Sequence, residues 1–402
     1  MAINITKSTT AVTGPPDSID HPIAIGQGAM ETGHVPAPKK ELAKGELAMI
    51  MAAIRKDKGE NLLIKGSSVQ VVERVPTGMF EVDLALGGGF PRGRYSIVYG
   101  PEGSGKTNLT YCAIANAQRL PPPCNKAVFV DLEGTFDPAW ASMFGIDVDA
   151  LIVVKPSYGE EAMDMIDALV RADDVAILVV DSLAVVVSTK EMEQSSEKFD
   201  VGTTAILIKR MCNKLIMALS QEQKRNHTPC VILLNQTRFK VGVMFGDPET
   251  MPGGKTMLFL SSLTIRVYGK NMIKKDVHPE LAAFKETSAV VKKAKVPITR
   301  LSFDYDMCVY PHDGLNVGET RSWNKLQQQL QDLGYLMKGK KWALTTEAAQ
   351  GKNPAKVIEA PTLVTFQDTY ESDPEFAQKL QALVINSSKG QMFLHAAEGA
   401  AK

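Results

Sequence analysis

The chain has 402 residues, and its 45 lysine and arginine residues are balanced by 45 aspartate and glutamate residues. A net charge of zero excludes the uniformly basic surface of proteins that bind nucleic acids without specificity, although a local basic patch stays possible. With 44% hydrophobic and 22% charged residues, the composition is typical of a folded protein with a large core. It excludes a mostly disordered or collagen-like chain. The length predicts two or three domains, or one large domain with attachments.

The sequence predicts neither a membrane span nor a disulfide framework. Its most apolar stretch, 175–187, is interrupted by Asp181 and Ser182, so we expect no transmembrane helix. The first residues lack the basic start and apolar core of a signal peptide. The cysteines are scattered, odd in number and never in C-x-x-C, which also argues against a zinc ribbon; they are Cys112, Cys124, Cys212, Cys230 and Cys308. We therefore expect a reducing, cytoplasmic location.

The N-terminal part contains a tail and then a helix. Residues 1–40 are rich in Thr, Pro, Gly and Ala without periodicity, which predicts a flexible tail. The segment 41–58 is a helix candidate, because its apolar residues recur at i, i+3, i+4 and i+7; they are Leu47, Ile50, Met51 and Ile54. The helix either packs on its own domain or docks on a neighbouring subunit. In the domain division we take 41–68 as an oligomerisation helix and linker.

Strand and helix patterns alternate between residues 69 and 268. Short β-branched runs predict strands at 95–99, 127–131, 151–154, 175–181 and 230–235. Helical patterns separate several of them, at 105–119, 159–171 and 203–224. Because the strands are apolar throughout, the alternation predicts a mostly parallel sheet that is covered on both faces. Three later segments look like added antiparallel strands: 263–268, 289–293 and 301–305.

The pattern changes again beyond about Gly314. Leu326, Leu330 and Leu333 recur at helical spacing, and another helix is predicted at 375–384. We therefore predict a core domain over 69–313 and a small, separate α/β domain with a tail over 314–402.

The strongest motif fits G-x-x-x-x-G-K-[ST] and lies between a predicted strand and a predicted helix. It consists of Gly100, Pro101, Glu102, Gly103, Ser104, Gly105, Lys106 and Thr107. Glycines let consecutive backbone N–H groups point at phosphate oxygens, and the N-terminus of the next helix adds positive partial charge. Lys106 is expected to reach the β and γ phosphates of a nucleotide, and the Thr107 hydroxyl to bind Mg²⁺. A glycine-rich turn without a ligand is disfavoured by the flanking strand and helix.

Two carboxylates are predicted at the same edge of the sheet. Asp181 ends an apolar strand, which would deliver its carboxylate beside the phosphate loop to hold Mg²⁺ through water. Glu133 follows the strand that ends at Asp131, where a carboxylate can take the proton of a water that attacks the γ phosphate. Taken alone, Asp181 is also typical of an ordinary strand end and Glu133 of a solvated loop. The neighbouring phosphate loop favours the functional interpretation of both.

Three segments together resemble the RecA-type recombinases of bacteria and phages: the phosphate loop 100–107, the strand end 129–133 and the stretch 235–254. The last is the most specific, because it is similar to the second DNA-binding loop of the family. The resemblance runs over about 47–310 and weakens beyond. It implies an α/β fold, namely a RecA-like P-loop ATPase core with a mostly parallel central sheet, an N-terminal helix/strand arm and a small C-terminal α/β domain.

The resemblance also implies roles for individual residues. Glu133 is similar to the family's catalytic glutamate, and Gln236 to the glutamine that senses the γ phosphate and signals to the loop after it. Trp140 lies where an aromatic ring stacks on adenine. Lys293 and Lys295 match a lysine pair that reaches across the subunit interface to the neighbour's ATP. A head-to-tail contact of this kind that does not close builds a helical filament.

The long segment 237–255 is predicted to bind DNA, since a loop of this length inside a compact domain is usually functional or disordered. It offers cations for phosphates and apolar side chains that can insert between bases. The predicted DNA-binding residues in it are Arg238, Lys240, Gly242, Val243, Met244, Phe245, Gly246, Gly253 and Gly254. The alternative, a surface loop without function, is disfavoured by three adjacent apolar residues. The first DNA-binding loop of the family corresponds to 193–202, which retains the family's length and closing Gly202 but little else.

We therefore predict a DNA-dependent ATPase that acts as a homologous recombinase. It would form a helical filament on single-stranded DNA with ATP and Mg²⁺, and would exchange that strand with a homologous duplex in recombination and repair. Two alternatives stay open. One is a ring-forming helicase or RadA-type motor with the same core, although the cysteines cannot build the zinc ribbon of RadA-type proteins. The other is a filament scaffold with a vestigial ATPase, which intact Lys106, Glu133 and Asp181 disfavour.

Overall fold

A computed structural model describes residues 46–58, 71–193, 202–239, 249–273, 282–312, 314–347 and 355–400. Its strands are β1 (Arg74–Val75), β2 (Phe90–Pro91), β3 (Arg94–Gly100), β4 (Lys126–Asp131), β5 (Leu151–Val154), β6 (Val175–Asp181), β7 (Cys230–Gln236), β8 (Arg238–Phe239), β9 (Glu249–Thr250), β10 (Leu263–Ile273), β11 (Ala282–Ala294), β12 (Ser302–Cys308), β13 (Leu336–Lys338), β14 (Trp342–Glu347) and β15 (Lys356–Ala360). The helices are α1 (Glu46–Lys58), α2 (Phe80–Leu86), α3 (Lys106–Gln118), α4 (Pro138–Met143), α5 (Gly159–Val170), α6 (Thr189–Glu193), α7 (Thr203–Lys224), α8 (Gly254–Leu260), α9 (Trp323–Asp332), α10 (Leu363–Ser372) and α11 (Pro374–Ala400).

Eight strands form the central sheet of the described chain, in the order β12-β11-β10-β3-β7-β6-β4-β5. The six strands from β10 to β5 run parallel, whereas β11 is antiparallel to both of its neighbours. The prediction of a mostly parallel sheet is therefore confirmed. The prediction that 263–268 is an added antiparallel strand holds for the pairing of β10 with β11, which is antiparallel. It is wrong for the pairing of β10 with β3, which is parallel. An apolar run indicates burial but not the direction of the neighbouring strand.

Helices cover both faces of this sheet and bury two apolar clusters. The first cluster joins α3, through residues such as Leu109 and Ile114, to one face. The second joins α5 and α7, through residues such as Ile166 and Leu215, to the other. In β6 all seven residues are buried, as expected of a central parallel strand with helices on both sides. This packing leaves the carboxyl ends of β3, β4, β6 and β7 at one edge of the sheet.

The C-terminal part forms its own three-stranded antiparallel sheet, in the order β13-β14-β15. Its apolar cluster draws on α9, α10 and α11, for example through Leu330, Phe366 and Leu380. Two residues of α2, Phe80 and Leu84, belong to the same cluster. The small α/β unit is thus packed onto α2 by a shared core.

The helix α1 presents apolar side chains to solvent: Leu47 and Met49 are 69% and 71% exposed. These two side chains do not pack on the domain that contains the helix, which argues against the first of the two interpretations. Docking on a neighbouring subunit stays a prediction. The predicted tail, 1–40, lies outside the described residues. Within the residues that are described, no helix combines the length and apolarity needed to cross a membrane.

Candidate functional site

The glycine-rich loop connects β3 to α3, as predicted. Gly103 and Gly105 have φ angles of +67° and +93°, a left-handed conformation that side chains other than glycine disfavour. At Gly100 the reason for glycine is space, because a Cβ there would lie 2.1 Å from the carbonyl oxygen of Val267. The loop thus leads by a tight backbone turn directly into the N-terminus of α3, the end of a helix at which backbone N–H groups can bind an anion.

Lys106, the first residue of α3, lies over the loop and is buried. Its Nζ donates hydrogen bonds to the carbonyl oxygens of Gly100, at 3.2 Å, and Pro101, at 2.7 Å. Burial lowers the pKa of the Lys106 ammonium, and the nearby negative charges of Asp181 and Glu133 partly oppose this shift. A cation that is shielded from water and bonded only to neutral carbonyls is well suited to receive an anion.

Thr107 and Asp181 meet beside the loop, as the sequence predicts for a metal site. The Thr107 hydroxyl donates a 2.6 Å hydrogen bond to Oδ2 of Asp181, the last residue of β6. Asp181 is buried, and this burial is the main reason that the pKa of its carboxyl group rises to about 6. Two hard oxygen donors therefore lie together at the carboxyl edge of the sheet. The positive charge of a divalent cation bound there would favour the ionised form of the Asp181 carboxyl group.

Glu133 and Gln236 are in direct contact. Oε1 of Glu133 accepts a 3.1 Å hydrogen bond from Nε2 of Gln236 and a second hydrogen bond from the hydroxyl of Ser182. The backbone N–H groups of Leu132 and Glu133 both donate to the carbonyl oxygen of Asp181, at 2.7 and 3.3 Å. These bonds hold the candidate catalytic carboxylate at the end of β4, next to Asp181 of the candidate metal site.

Gln236 also begins the segment that leads into the predicted DNA-binding loop. Its backbone N–H donates to Oδ1 of Asn235 at 2.9 Å, and Nδ2 of Asn235 donates to the carbonyl oxygen of Pro252 at 3.0 Å. The next residue, Thr237, donates its N–H to the carbonyl oxygen of Gly100 at 3.2 Å. Both ends of the loop are thereby tied to the end of β7 and to the phosphate loop.

Only part of the predicted DNA-binding loop is described. Arg238 donates a 3.1 Å hydrogen bond to the carbonyl oxygen of Ala184, and β8 pairs with β9 at the base of the loop. Gly253 and Gly254 have φ angles of +87° and +68° at the start of α8. Gly202 directly precedes α7. The other predicted residues lie outside the described residues: Lys240, Gly242, Val243, Met244, Phe245 and Gly246.

Trp140 lies on α4, which packs close to α3. Asp137 caps α4 by accepting hydrogen bonds from the N–H groups of Ala139, at 2.8 Å, and Trp140, at 3.2 Å. The indole Nε1 of Trp140 donates to Oδ1 of Asn108 at 3.3 Å, two residues beyond Lys106. The indole ring is therefore held beside the first turn of α3, the helix that follows the phosphate loop.

Lys293 and Lys295 lie away from their own phosphate loop. Nζ of Lys293 donates to the carbonyl oxygens of Leu258 and Phe259, both at 2.5 Å, and Nζ of Lys295 donates to that of Phe259 at 2.9 Å. The two cations thus cap the C-terminal end of α8, where the helix dipole favours positive charge. Phe259 is exposed next to them.

The residues at the loop fit a nucleotide with a divalent cation. The hydroxyl of Ser104, in the loop itself, is buried and makes no hydrogen bond within the described residues, so it is left for an incoming acceptor. The described residues contain no group of three or more His, Cys, Asp or Glu side chains that could hold a metal ion. A site with Thr107 and Asp181 alone suits Mg²⁺, which takes few protein ligands and completes its shell with water and phosphate.

Three neighbours of the site were not among the predicted site residues. Ser182 was detectable, because it directly follows Asp181. Asn235 was detectable for a similar reason, because it follows the apolar residues of β7 and directly precedes Gln236. Lys285 donates a hydrogen bond to the carbonyl oxygen of Gly103, and no pattern in the sequence connects these distant positions.

Comparison with known proteins gives the family. The family model described as the RecA N-terminal domain matches residues 45–309. The chain belongs to the RecA family. Protein RecA of Bacteroides thetaiotaomicron is 33% identical over 347 residues, which cover 85% of this chain and 96% of that protein. Protein RecA of Haemophilus ducreyi is 32% identical over 361 residues, 88% of each chain, and that of Leifsonia xyli is 43% identical over 230 residues, 56% of this chain and 62% of that protein.

Proposed function

We propose that this chain is an ATP-dependent homologous recombinase. It assembles with ATP and Mg²⁺ on single-stranded DNA as a helical filament, exchanges that strand with a homologous duplex, and hydrolyses ATP in a DNA-dependent manner. The observation that carries the proposal is the 3.1 Å hydrogen bond between Gln236 and Glu133. It joins the candidate catalytic carboxylate to the residue that begins the predicted DNA-binding segment.

The residues of the nucleotide site have distinct roles in this proposal. The loop from Gly100 to Thr107 cradles the phosphates, and Lys106 exchanges its bonds to loop carbonyls for bonds to phosphate oxygens. Thr107 and Asp181 hold Mg²⁺, which neutralises phosphate charge when it is bound. Glu133 accepts the proton of the attacking water. Trp140 stacks on the adenine.

Gln236 couples the nucleotide to DNA. Its side-chain amide is bonded to Glu133, and its backbone is held by Asn235, whose own amide reaches Pro252 on the far side of the loop. If the amide of Gln236 leaves Glu133 for the γ phosphate, the loop between 238 and 250 is displaced at its base. The loop binds single-stranded DNA through Arg238 and Lys240 at phosphates and through the apolar residues from Val243 to Phe245 at bases, with Gly202 closing the neighbouring loop.

Self-association completes the proposal. Lys293 and Lys295 lie beside the exposed Phe259, on a surface that can face a neighbour's nucleotide, and the exposed apolar face of α1 supplies a second contact. We accordingly propose an oligomerisation segment at 41–68, an ATPase and DNA-binding core at 69–313, and a C-terminal domain at 314–402.

Two measurements on the wild-type chain test this proposal. Electron microscopy with single-stranded DNA and a non-hydrolysable ATP analogue should reveal open helices, whereas closed rings would favour a ring-forming motor. Oligonucleotide affinity should be much higher with the ATP analogue than with ADP. Equal affinity in both states would contradict the proposal.

Two variants separate hydrolysis from assembly. Glu133→Gln should abolish ATP turnover but retain filament formation, and Lys106→Ala should abolish both while the protein still folds. Unchanged turnover in Glu133→Gln would indicate a scaffold with a vestigial site.

A further inference from the structure

We propose that Lys285 is a second lysine of the nucleotide site, which acts within its own subunit and positions the phosphate loop for a nucleoside diphosphate or triphosphate. The inference deepens the proposed function and rests on it. Lys285 lies on β11, and its Nζ donates a hydrogen bond to the carbonyl oxygen of Gly103. A Cβ on Gly105 would lie 3.5 Å from both Cδ and Cε of Lys285, so the side chain lies along the loop.

The path of Lys285 depends on a glycine in the intervening strand. In the sheet β10 lies between β3 and β11, and Gly269 of β10 is situated where the lysine crosses. A Cβ on Gly269 would lie 2.8 Å from Cε of Lys285 and 2.6 Å from the carbonyl oxygen of Ser104. A larger residue there would clash with the backbone of the loop and would force the lysine side chain to shift. The close approach is therefore built into the sheet and is not the chance position of a surface side chain.

The hydrogen bond to Gly103 orients the peptide that contains the N–H of Ser104. In a trans peptide the C=O and N–H groups point in opposite directions. The bond from Lys285 to the carbonyl of Gly103 therefore holds the N–H of Ser104 on the opposite side of that peptide. This N–H makes only a long, 3.3 Å contact with the carbonyl oxygen of Pro101, and the Ser104 hydroxyl makes no hydrogen bond within the described residues. Both are donors for an anion.

Lys285 also adds a second positive charge at the phosphate loop, in addition to that of Lys106. Burial lowers the pKa of the Lys285 ammonium, and the charge of Lys285 contributes to the lowered pKa of Lys106. Two partly desolvated cations that bind carbonyls of one loop repel each other, and a bound polyphosphate would relieve that repulsion. The ligand class is therefore a nucleotide with at least two phosphates rather than a nucleoside.

The test is equilibrium binding of a fluorescent ADP analogue to the full chain, followed by displacement with unlabelled ADP or adenosine. Lys285→Met should weaken ADP binding about ten-fold, the order expected when a charge-assisted hydrogen bond is lost. Lys285→Arg, which retains the charge and a donor, should stay within about three-fold of wild type. Lys126→Met is the matched control, because Lys126 is exposed at the start of β4 and its loss removes the same charge. It should leave the affinity unchanged.

Adenosine and thermal unfolding separate a positioning role from a structural one. Adenosine lacks phosphates, so its affinity should be the same for wild type and Lys285→Met, and the unfolding temperatures of the two should agree. Binding of ADP by Lys285→Met within two-fold of wild type, or an equal loss for ADP and adenosine, would overturn the inference alone. Failure of the wild-type chain to bind ADP would overturn the proposed nucleotide site as well.

Discussion

Replacing Asp181 by asparagine is expected to stabilise the metal-free protein while it weakens binding of Mg²⁺ and nucleotide. Asp181 is buried at the end of β6, and burial is the largest cause that raises the pKa of its carboxyl group from 3.8 to about 6. The hydrogen bond from Thr107 opposes this shift, and the charge of Glu133 adds to it. Asparagine retains an oxygen acceptor for Thr107 but carries no charge, so the variant lacks the penalty for ionisation in the interior.

The sign and size of the effect follow from proton linkage. A carboxyl group whose pKa is higher in the folded than in the unfolded state weakens folding as the pH rises, because the unfolded chain releases its proton first. Well below pH 3.8 both states retain the proton and no penalty exists. The penalty grows up to the folded pKa and is then constant at about 3 kcal/mol, the product of about two pKa units and about 1.4 kcal/mol per unit. At pH 5 roughly half of it is present.

The assay is urea unfolding in EDTA at pH 8 and at pH 5, followed at pH 8 by calorimetry with Mg²⁺ and an ATP analogue. Asp181→Asn should unfold with a free energy up to about 3 kcal/mol higher than wild type at pH 8, and with roughly half that gain at pH 5. Asp173→Asn serves as control, because Asp173 is exposed, and it should change neither value. A gain that is absent at pH 8, or that does not shrink towards pH 5, would refute the linkage to Asp181.

Three further predictions concern the loop, the base and the fold. Gln236→Ala should leave the affinity for an ATP analogue within about three-fold, since one neutral hydrogen bond is lost, but should remove the dependence of oligonucleotide affinity on that analogue; retained dependence would exclude Gln236 as the coupling residue. Trp140→Ala should weaken ADP binding about ten-fold in a fluorescence titration, whereas Trp140→Phe should largely retain it; equal affinities for both variants and wild type would place the base elsewhere. Gly89→Ala should lower the free energy of unfolding by more than about 2 kcal/mol in urea, because φ is +114° and the new Cβ would lie 2.1 Å from the carbonyl oxygen of Val75; a wild-type unfolding midpoint would show that the backbone can relax there.

Much of the core, and the edge of the sheet at which the candidate nucleotide site lies, could be predicted from local patterns. The alternation of apolar strands and amphipathic helices gives a parallel sheet covered on both faces, because only this arrangement buries the strands completely. Parallel strands share one carboxyl edge, so a phosphate loop after β3, Glu133 after β4, Asp181 at the end of β6 and Gln236 at the end of β7 had to lie at the same edge of the sheet. The contacts of Lys106 with its loop, of Thr107 with Asp181 and of Glu133 with Gln236 agree with that expectation.

By itself, therefore, the sequence determined which residues lie at the edge of the sheet and which are buried. Both properties follow from the spacing of apolar residues within a single segment and from the residues that end it. Only the tertiary structure decided which segments are neighbours. The parallel pairing of β10 with β3, the capping of α8 by Lys293 and Lys295, and the passage of Lys285 across Gly269 to Gly103 all join residues far apart in the chain. A hydrophobic pattern specifies that a surface is covered but not by what, and long-range pairing emerges only when the whole core packs.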